Sequence, residues 1–334
     1  MISVGIIGAG AIVSDAHLPV LAAMENLSVD WITDADPERA RSLARHYGTR
    51  AVELPDSPRD LPSADLVLIA IPYGAREPYY EALQEREVGL YVEKPIARTV
   101  AEHRRLCDRF PSHRIAHGFQ RRSFGPTRLA RRLVEDQPFG PLRSIRYEMG
   151  TPGAIPFLGF RSNLAMAGGG ILLEHGVHGL DASLFIAGAQ RVRIQQVQMI
   201  REQGLDVHVE AEMRIATDRG DEVDFSLILS WLRETDAGIR LRFDRAEVHF
   251  SIYDPKGNIV MLFGDSGKAV RLAPAALEPF PVSVNQVFHH HWKTFVDGMR
   301  TASPNYTSAD QSILTTEIVE SCYAVDDGPP AGVP

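Results

Sequence analysis

The stretch ISVGIIGAGAIV, residues 2–13, decides the fold of the N-terminal part. It opens with apolar and β-branched residues typical of a buried strand, and runs directly into a turn that contains Gly8 and Gly10. A helical pattern follows. A strand, a tight glycine turn and a helix in this order favour an anion-binding site at the helix N-terminus, where backbone N–H groups are free and the helix dipole favours negative charge.

Residues 1–120 continue this alternation of apolar strands and helical patterns. Residues 29–33 (VDWIT) and 64–72 (ADLVLIAIP) are predicted strands, and between them lies a helix with Pro37 at its start and Gly48 at its end. Continuously apolar strands that alternate with helices indicate a parallel sheet covered on both faces. We therefore predict an α/β, doubly wound Rossmann domain.

The pattern changes after residue 140, where apolar and polar residues alternate in segments joined by short turns. Residues 207–217 (VHVEAEMRIAT) and 223–231 (VDFSLILSW) are examples. Such alternation is typical of an antiparallel sheet with one wetter face. For residues 121–334 we predict an α+β domain with a mostly antiparallel sheet and two closing helices.

The composition excludes several classes of protein. The chain has 334 residues, a net charge of −8 and 44% hydrophobic residues, which is ordinary for a globular protein with a proper core. No long basic tract is present, so nucleic acid is not an expected partner. The longest apolar runs are too short to span a bilayer, and the N-terminus lacks the pattern of a signal peptide, so we expect a cytoplasmic protein with two reduced cysteines.

An acid at the end of the second predicted strand supports a dinucleotide site. The carboxylate of Asp34 can accept hydrogen bonds from a ribose diol and would repel a 2′-phosphate, so the sequence favours NAD over NADP. Val13 stands at the position of the third glycine in such motifs and departs from the pattern. A nucleotide-free α/β domain with a tight glycine turn is the alternative interpretation.

Several motifs, from the N-terminus to residue 181, together resemble one family. They are GAGAIVSDAHLPVL, IPYGAREPYYEAL, YVEKPIA, GFQRR, GPLRSIR and GGGILLEHGVHGLD. The chain therefore resembles the Gfo/Idh/MocA oxidoreductases, which include glucose-fructose oxidoreductase and inositol dehydrogenase. The resemblance implies a nicotinamide-dependent dehydrogenase or reductase that acts on a carbinol or ketone carbon of a sugar, cyclitol or sugar derivative. It also implies that residues 121–334 form a substrate-binding and oligomerisation domain with a large, mostly antiparallel open sheet, and that a homodimer or homotetramer forms through the open face of this sheet.

The resemblance also implies roles for individual residues. Lys94 matches the lysine of the EKP motif and His178 the histidine of proton transfer, while Glu174 stands where the family typically has Asp. Arg76 replaces a common His, and Phe160 replaces a Trp that often precedes Arg161. We predict that Lys94, His178 and Glu174 are catalytic, and that Lys94 and His178 meet at one substrate oxygen. The residues predicted to bind the cofactor are Gly8, Gly10, Ala11, Ile12, Asp34, Ile71, Pro72, Glu93 and Lys94.

The spacing of polar residues in GGGILLEHGVHGLD bears on a competing interpretation. On an α-helix, Glu174, His178 and Asp181 share one face and His175 points elsewhere, so the histidines and the carboxylate do not converge as zinc requires. We therefore predict no metal. A solvated helix face without chemistry is the alternative, against which the preceding glycine run stands, because such a run allows a ligand to approach the backbone closely.

The arginines raise the question of the charge of the substrate. Arg121, Arg161 and Asp181 are predicted to bind the substrate. Together with Arg76, Arg122 and His117, these arginines suggest a phosphate or carboxylate on it, although scattered surface arginines explain the pattern equally well. Two other functions remain open: a glycoside-cleaving enzyme that oxidises its sugar transiently with tightly bound NAD, and a non-catalytic dinucleotide-binding sensor. The sensor has no need of Lys94 and His178.

Overall fold

A computed structural model of the chain describes residues 1–153, 159–254, 259–264, 266–272, 281 and 283–326. The chain forms two compact units. The first unit consists of Met1–Ala97, Ala101–Gln120 and Val284–Gln311. The second consists of Arg98–Val100, Arg121–Ser283 and Ser312–Pro334.

The first unit contains a six-stranded sheet with the order β3-β2-β1-β4-β5-β6. All its strand pairs are parallel, which confirms the predicted doubly wound sheet. The order reverses beside β1, and in such sheets ligands bind at the carboxyl ends of the strands next to this reversal. The strands are β1 Ile2–Ile7, β2 Leu27–Thr33, β3 Arg50–Ala51, β4 Leu66–Ile69, β5 Gly89–Val92 and β6 Ile115–His117.

The helices of the first unit begin with a π-helical segment, Val13–His17, that continues into α1. A π-helical turn inserted in a helix is uncommon and is frequent at functional sites. The helix α2 starts at Pro37, where Asp36 accepts hydrogen bonds from two backbone N–H groups, and it stops at the left-handed Gly48 as predicted. The helices are α1 Leu18–Leu21, α2 Pro37–Tyr47, α3 Glu77–Leu83, α4 Val100–Arg109 and α8 Val284–Thr301.

Helix α8 packs in the first unit, although the sequence prediction placed all of residues 121–334 in a second domain. The apolar side chains Phe288, Trp292 and Phe295 lie in the same core cluster as Val4 and Tyr91. The sequence pattern of α8 predicts an amphipathic helix, but it does not indicate which sheet buries the apolar face of this helix. The unit in which α8 packs therefore depends on contacts that are distant in sequence, and local periodicity does not predict them.

The second unit contains an eight-stranded sheet with the order β14-β13-β12-β11-β7-β10-β9-β8. β7 and β10 are parallel, and the other strand pairs are antiparallel, which confirms the predicted mostly antiparallel sheet. The strands are β7 Leu142–Gly150, β8 Ala189–Glu202, β9 Leu205–Thr217, β10 Glu222–Ser230, β11 Gly238–Phe243, β12 Ala246–Phe250, β13 Ile259–Phe263 and β14 Ala269–Leu272.

The motif GGGILLEHGVHGLD lies where the second unit turns from a short helix into its most buried one. Gly168 adopts a left-handed conformation and ends the short helix. A π-helical segment, Leu172–Gly176, follows and continues into α7. The helices are α5 Gly125–Asp136, α6 Leu164–Ala167, α7 Val177–Ala187 and α9 Ile313–Asp326. Short 3-10 helices in the two units are Pro58–Asp60, Tyr73–Ala75, Ser112–Arg114, Gln120–Ser123, Gly159–Ser162 and Ala309–Ser312.

Two further features concern the chain as a whole. Across the residues that the structure describes, no helix is both long and apolar enough to cross a membrane. Cys107 and Cys322 are free thiols, and burial raises the pKa of each to about 12, so both remain protonated near neutral pH.

The histidine of α4 gives a prediction for the pH dependence of stability. The side chain of His103 has no exposed surface, and its Nε2 is 3.0 Å from the carbonyl oxygen of Ala309. Burial lowers the pKa of His103 to about 4, and the hydrogen bond to Ala309 offsets this effect only in part. The unfolded chain, with a histidine pKa of about 6.5, therefore binds a proton that the folded chain excludes.

We expect the stability that His103 contributes at pH 7 to be lost as the pH falls through 6.5 towards 4. At pH 5 the loss amounts to about 2 kcal/mol. His103→Gln can still donate to Ala309 but does not titrate, so its free energy of unfolding in urea should fall less between pH 7 and pH 5 than that of the natural chain. The exposed His46→Gln is the matched control; equal pH dependence in all three proteins would contradict the prediction.

Candidate active site

The turn after β1 contains two glycines, and the physical reason for glycine differs between the two positions. Gly8 has a φ of +109°, and a Cβ at this position would lie 2.5 Å from the carbonyl oxygen of Ala70, so the fold itself requires glycine here. Apart from Gly10 itself and its neighbours along the chain, no atom of the described residues lies within 4 Å of the position of a Cβ on Gly10. The protein leaves open space at Gly10, which is the space that a closely approaching ligand backbone or phosphate needs.

Asp34 ties the glycine turn to the end of β2. Its Oδ2 accepts a hydrogen bond from the N–H of Ala9 at 2.6 Å, and its Oδ1 accepts one from the N–H of Asp36 at 2.7 Å. Each carboxylate oxygen has a second lone pair, so both can accept ribose hydroxyls as well. The side chain is half-buried and stands directly after Thr33, the last residue of β2.

Arg76 holds the EKP loop that follows β5. The guanidinium is buried and donates to four carbonyl oxygens. The Nε–O distance to Ile71 is 2.9 Å, and the Nη–O distances to Glu93, Pro95 and Lys94 are 2.6, 2.5 and 3.4 Å. Arg76 therefore fixes the backbone of the loop against the end of β4. This arginine is committed to the fold and does not support the hypothesis of an anionic substrate.

A buried group of three side chains fixes Glu93 from the other direction. Trp292 Nε1 donates to His17 Nδ1 at 3.0 Å, so the imidazole proton lies on Nε2, which is 2.9 Å from Glu93 Oε1. Burial alone raises the pKa of Glu93, but the hydrogen bond from His17 and the positive charges of Lys94 and Arg76 outweigh it and lower that pKa below its ordinary value. Glu93 is therefore ionised and held inside the first unit.

The residues predicted to bind the cofactor lie together at one edge of the parallel sheet. Gly8 and Gly10 follow β1, Asp34 follows β2, Ile71 and Pro72 follow β4, and Glu93 and Lys94 follow β5. Ala11 and Ile12 are exposed just before the π-helical segment. Glu93 differs from the other residues of this set, because its carboxylate points into the protein towards His17. Space at Gly10, free helical N–H groups and an acid for a ribose fit a dinucleotide.

In the second unit, the helix of the second motif is buried on almost all sides. From Val177 to Ala187, every residue except Phe185 is buried. A solvated helix face is thereby excluded. The prediction of a regular α-helix was wrong at Leu172–Gly176, because a π-helical segment has a smaller angular step per residue and moves Glu174 relative to His178.

Two glycines let this helix lie directly on the large sheet. A Cβ on Gly176 would meet Leu229 of β10 at 2.3 Å, and a Cβ on Gly179 would meet the ring of Tyr147 of β7 at 2.1 Å. The hydroxyl of Tyr147 is 2.9 Å from that of Tyr253, which in turn is 3.2 Å from the carbonyl oxygen of His175. The sheet therefore determines how closely the helix approaches it and how the helix is rotated about its own axis.

Asp181 has a different role from the one that the sequence suggested. Its side chain has no exposed surface and forms a two-point ion pair with Arg122, at 2.8 Å from Nε and 2.7 Å from Nη2. Thr315 of α9 donates to the same carboxylate at 3.1 Å. The prediction that Asp181 binds substrate is therefore corrected. Asp181 and Arg122 anchor α7 inside the unit, because a buried charge is stable only when it is paired.

Glu174, Arg161 and His178 keep positions compatible with binding. Arg161 Nε donates to Glu174 Oε1 at 2.7 Å, and the side chains are 44% and 21% exposed. His178 is only 7% exposed and sits one residue after the start of α7. The structure therefore brings two of the predicted residues into contact, and it places the histidine on the helix that the sheet and the Arg122–Asp181 pair hold.

The remaining cations of the anionic-substrate hypothesis are also engaged. The guanidinium of Arg121 stacks on Phe124 at 4.4 Å and lies 5.4 Å from the ring of Tyr253. His117 Nδ1 accepts from the N–H of Phe119 at 3.1 Å, and its Nε2 donates to the carbonyl oxygen of Tyr306 at 3.0 Å. Of the group proposed from sequence, Arg76, Arg122 and His117 bind protein atoms in buried positions.

Four structurally important residues were missed by the sequence reasoning: His17, Trp292, Asp206 and Tyr323. His17 lies inside the motif GAGAIVSDAHLPVL, and Trp292 follows three consecutive histidines. No local signal distinguishes Asp206 or Tyr323. As for metals, the described part of the chain contains no group of three or more His, Cys, Asp or Glu side chains that could hold an ion.

Comparison with known proteins identifies the family. Residues 2–116 match the family described as an oxidoreductase family with an NAD-binding Rossmann fold, and residues 127–260 match the GFO/IDH/MocA C-terminal domain. D-glucoside 3-dehydrogenase of Escherichia coli (strain K12) is 30% identical over 202 residues, which span 57% of this chain and 55% of that protein, so the match covers about half its length.

Solved structures show the same fold at lower identity. A levoglucosan dehydrogenase in complex with NADH and L-sorbose superposes with a TM-score of 0.82 at 18% identity, covering 96% of this chain and 95% of that one. KijD10, a 3-ketoreductase from Actinomadura kijaniata in complex with NADP and TDP-benzene, superposes with a TM-score of 0.80 at 17% identity, covering 96% and 97%. The two matched domains, in this order, place the chain in the Gfo/Idh/MocA oxidoreductase family.

Proposed function

We propose that this protein is an NAD-dependent oxidoreductase that interconverts a hydroxyl group and a ketone on a sugar, cyclitol or sugar derivative. The observation that carries the proposal is that both domains of the Gfo/Idh/MocA family match, while the chain keeps the EKP lysine and the histidine of the second motif. A pure binding protein needs neither residue.

The proposed cofactor follows from the edge of the parallel sheet. A nicotinamide dinucleotide bound there supplies the hydride acceptor or donor. Gly10 leaves the room that a pyrophosphate needs, and the backbone N–H groups at the start of the following helix supply the donors. Asp34 favours NAD, since its carboxylate can accept hydrogen bonds from the ribose hydroxyls and would repel a 2′-phosphate.

The proposed chemistry assigns proton transfer to His178 and charge stabilisation to Lys94. Oxidation of a carbinol requires that its hydroxyl lose a proton, and a histidine is suited to accept it near neutral pH. The ammonium of Lys94 is a compact charge that stabilises the oxygen as it becomes negative. The Arg76 hydrogen bonds and the His17–Glu93 pair hold the loop of Lys94, so the ammonium starts from a fixed backbone.

The proposed substrate contacts come from the exposed part of the second motif. Glu174, with its partner Arg161, is assigned to positioning sugar hydroxyls, and Arg121, whose guanidinium stacks on Phe124, is proposed as a further substrate contact. Since Arg76, Arg122 and His117 are occupied by protein groups, we propose that the reacting sugar is recognised mainly through its hydroxyls. A homodimer or homotetramer through the open sheet face remains part of the proposal.

Loss of either proposed catalytic group should strongly lower turnover without unfolding the protein. With a panel of sugars, cyclitols and their phosphates as substrates, we expect NADH formation for at least one neutral sugar or cyclitol. Lys94→Ala and His178→Gln should each lower kcat by about 10²-fold or more, because each removes a group that acts on the proton or on the developing charge. The rate of NADH appearance measures this directly.

Two matched variants control for charge and for residue type. Lys293→Ala removes an exposed lysine of α8 that pairs with Asp297, and His46→Gln removes an exposed histidine of α2. Both should keep the kcat of the natural chain. The proposed function is wrong if no member of the panel reduces NAD and no corresponding ketone oxidises NADH, and the assigned roles are wrong if Lys94→Ala and His178→Gln keep more than half of kcat.

The two glycines of the turn should separate folding from cofactor binding. Gly8→Ala should destabilise the fold by about 2 kcal/mol, because its φ is in the left-handed region and its Cβ would meet Ala70. Gly10→Ala should leave the free energy of unfolding nearly unchanged but weaken NAD binding by about tenfold, since the new methyl occupies the approach of the ligand. Urea unfolding and calorimetric titration with NAD measure the two effects. Unchanged NAD affinity in Gly10→Ala would place the cofactor elsewhere.

The acid after β2 should determine the choice between the two dinucleotides. Asp34→Asn removes the charge that opposes a 2′-phosphate, so the ratio of kcat/KM for NADP to kcat/KM for NAD should rise by about tenfold. Asp30→Asn is the control, because Asp30 is an exposed carboxylate on the same strand and its side chain accepts a hydrogen bond from Ser28. An unchanged ratio in Asp34→Asn, or an equal rise in the control, would contradict this assignment.

A further inference from the structure

A buried carboxylate outside the predicted site holds the start of the second motif. Asp206, near the beginning of β9, is 2% exposed. Its Oδ1 accepts hydrogen bonds from the N–H of Gly170 at 2.6 Å and from the hydroxyl of Tyr323 at 2.9 Å, and its Oδ2 accepts from the N–H of Leu172 at 2.8 Å. A carboxylate that binds the first N–H groups of a helical segment also interacts favourably with the positive end of its dipole.

The glycine run before the helix is shaped to this contact. A Cβ on Gly170 would lie 2.1 Å from the backbone oxygen of Asp206, and a Cβ on Gly169 would lie 2.2 Å from the hydroxyl of Tyr323. The close approach that these glycines permit is therefore to protein groups. The sequence interpretation had assigned this role to a ligand, and at Gly169 and Gly170 the structure replaces it with Asp206 and Tyr323.

Tyr323 also connects α9 to two other segments of the second unit. The guanidinium of Arg98 lies 5.0 Å from the centre of its ring, and that of Arg201 lies 5.7 Å away. One turn earlier on α9, Glu320 accepts a hydrogen bond from the N–H of Val100 at 2.9 Å. The ring of Tyr323 is thus fixed by its neighbours, and its hydroxyl presents a donor in a defined place to Asp206.

Electrostatics agrees with a structural carboxylate at this place. Burial raises the pKa of Asp206, while the hydrogen bonds from Leu172, Gly170 and Tyr323 act to lower it. Burial and the neighbouring Asp206 raise the pKa of Tyr323 well above its ordinary value, so its hydroxyl keeps the proton that it donates. Removal of one donor from this set leaves a buried charge incompletely bound, which weakens the position of the whole segment.

We propose that Asp206 and Tyr323 are positioning residues for catalysis: through the N–H groups of Gly170 and Leu172 they set where the helical segment with Glu174 and His178 begins. Neither residue is assigned contact with substrate or cofactor. The proposal rests on the proposed function for the role of His178. It predicts that the effect of either residue on the reaction passes through that histidine.

The test uses Tyr323→Phe, which removes one hydroxyl and keeps the ring beneath Arg98. We expect kcat to fall by about tenfold while the KM for NAD changes less than twofold, since a small displacement of a catalytic group is costly. In a His178→Gln background, the same change should have no further effect on kcat. An equal loss of kcat in both backgrounds would overturn the proposal, because Tyr323 would then act independently of His178.

A second measurement does not depend on activity. Amide hydrogen exchange at residues 170–178 should be faster in Tyr323→Phe and faster still in Asp206→Asn, and the imidazole NMR signals of His178 should shift in Tyr323→Phe. Tyr306→Phe is the control, because its hydroxyl is 3.3 Å from Thr294 Oγ1 in the first unit. Unchanged exchange and unchanged His178 signals in Tyr323→Phe would overturn the positioning role even if Asp206→Asn fails to fold.

The outcomes also separate this proposal from the proposed function. A protein that turns over no sugar but shows the exchange and His178 effects loses the function and keeps the positioning of the segment. A protein that oxidises a sugar with full kcat in Tyr323→Phe and shows no change at His178 keeps the function and loses the positioning.

Discussion

Both candidate functional segments, the glycine turn after β1 and the helical segment with Glu174 and His178, depend on one interaction: a carboxylate accepts hydrogen bonds from backbone N–H groups. In the first unit, Asp34 binds the N–H of Ala9 and fixes the glycine turn before the first helix. In the second unit, Asp206 binds Gly170 and Leu172 at the start of the segment with Glu174 and His178. Each acid satisfies donors that a turn or a helix start leaves without partners, and the close approach of Asp206 also requires glycine at position 170.

Both units also interrupt a helix with a π-helical segment at the functional motif. The segments are Val13–His17 and Leu172–Gly176. Such a turn changes the rotation of the residues after it relative to those before it. His17 then reaches Glu93 and Trp292, while the carbonyl of His175 reaches the hydroxyl of Tyr253. The π-helical geometry therefore directs side chains that a regular helix would aim elsewhere.

The sequence determines what is local in this structure and leaves open what is distant. The strand before Gly8 and the helix between Pro37 and Gly48 were predicted because periodicity, caps and breakers act within a few residues. The role of Asp181 was not, because its partner Arg122 is 59 residues away, and that of His17 was not, because Trp292 is 275 residues away. The same residue type can be an exposed binding side chain or a buried anchor, and only its tertiary partner distinguishes the two roles.

The arginines show how burial distinguishes a side chain that can bind a ligand from one that anchors the fold. A guanidinium has five donors, and Arg76 gives its hydrogen bonds to four backbone carbonyls while Arg122 is bound by both oxygens of Asp181. To bind a phosphate, either group would have to abandon these buried acceptors, and an unpaired buried acceptor or carboxylate is costly. Arg161 differs, because it is 44% exposed and its partner Glu174 is 21% exposed, so water can replace either contact. Within this set of charges, the Arg161–Glu174 pair is therefore one whose contact water can replace at small cost, which supports its proposed role in substrate binding.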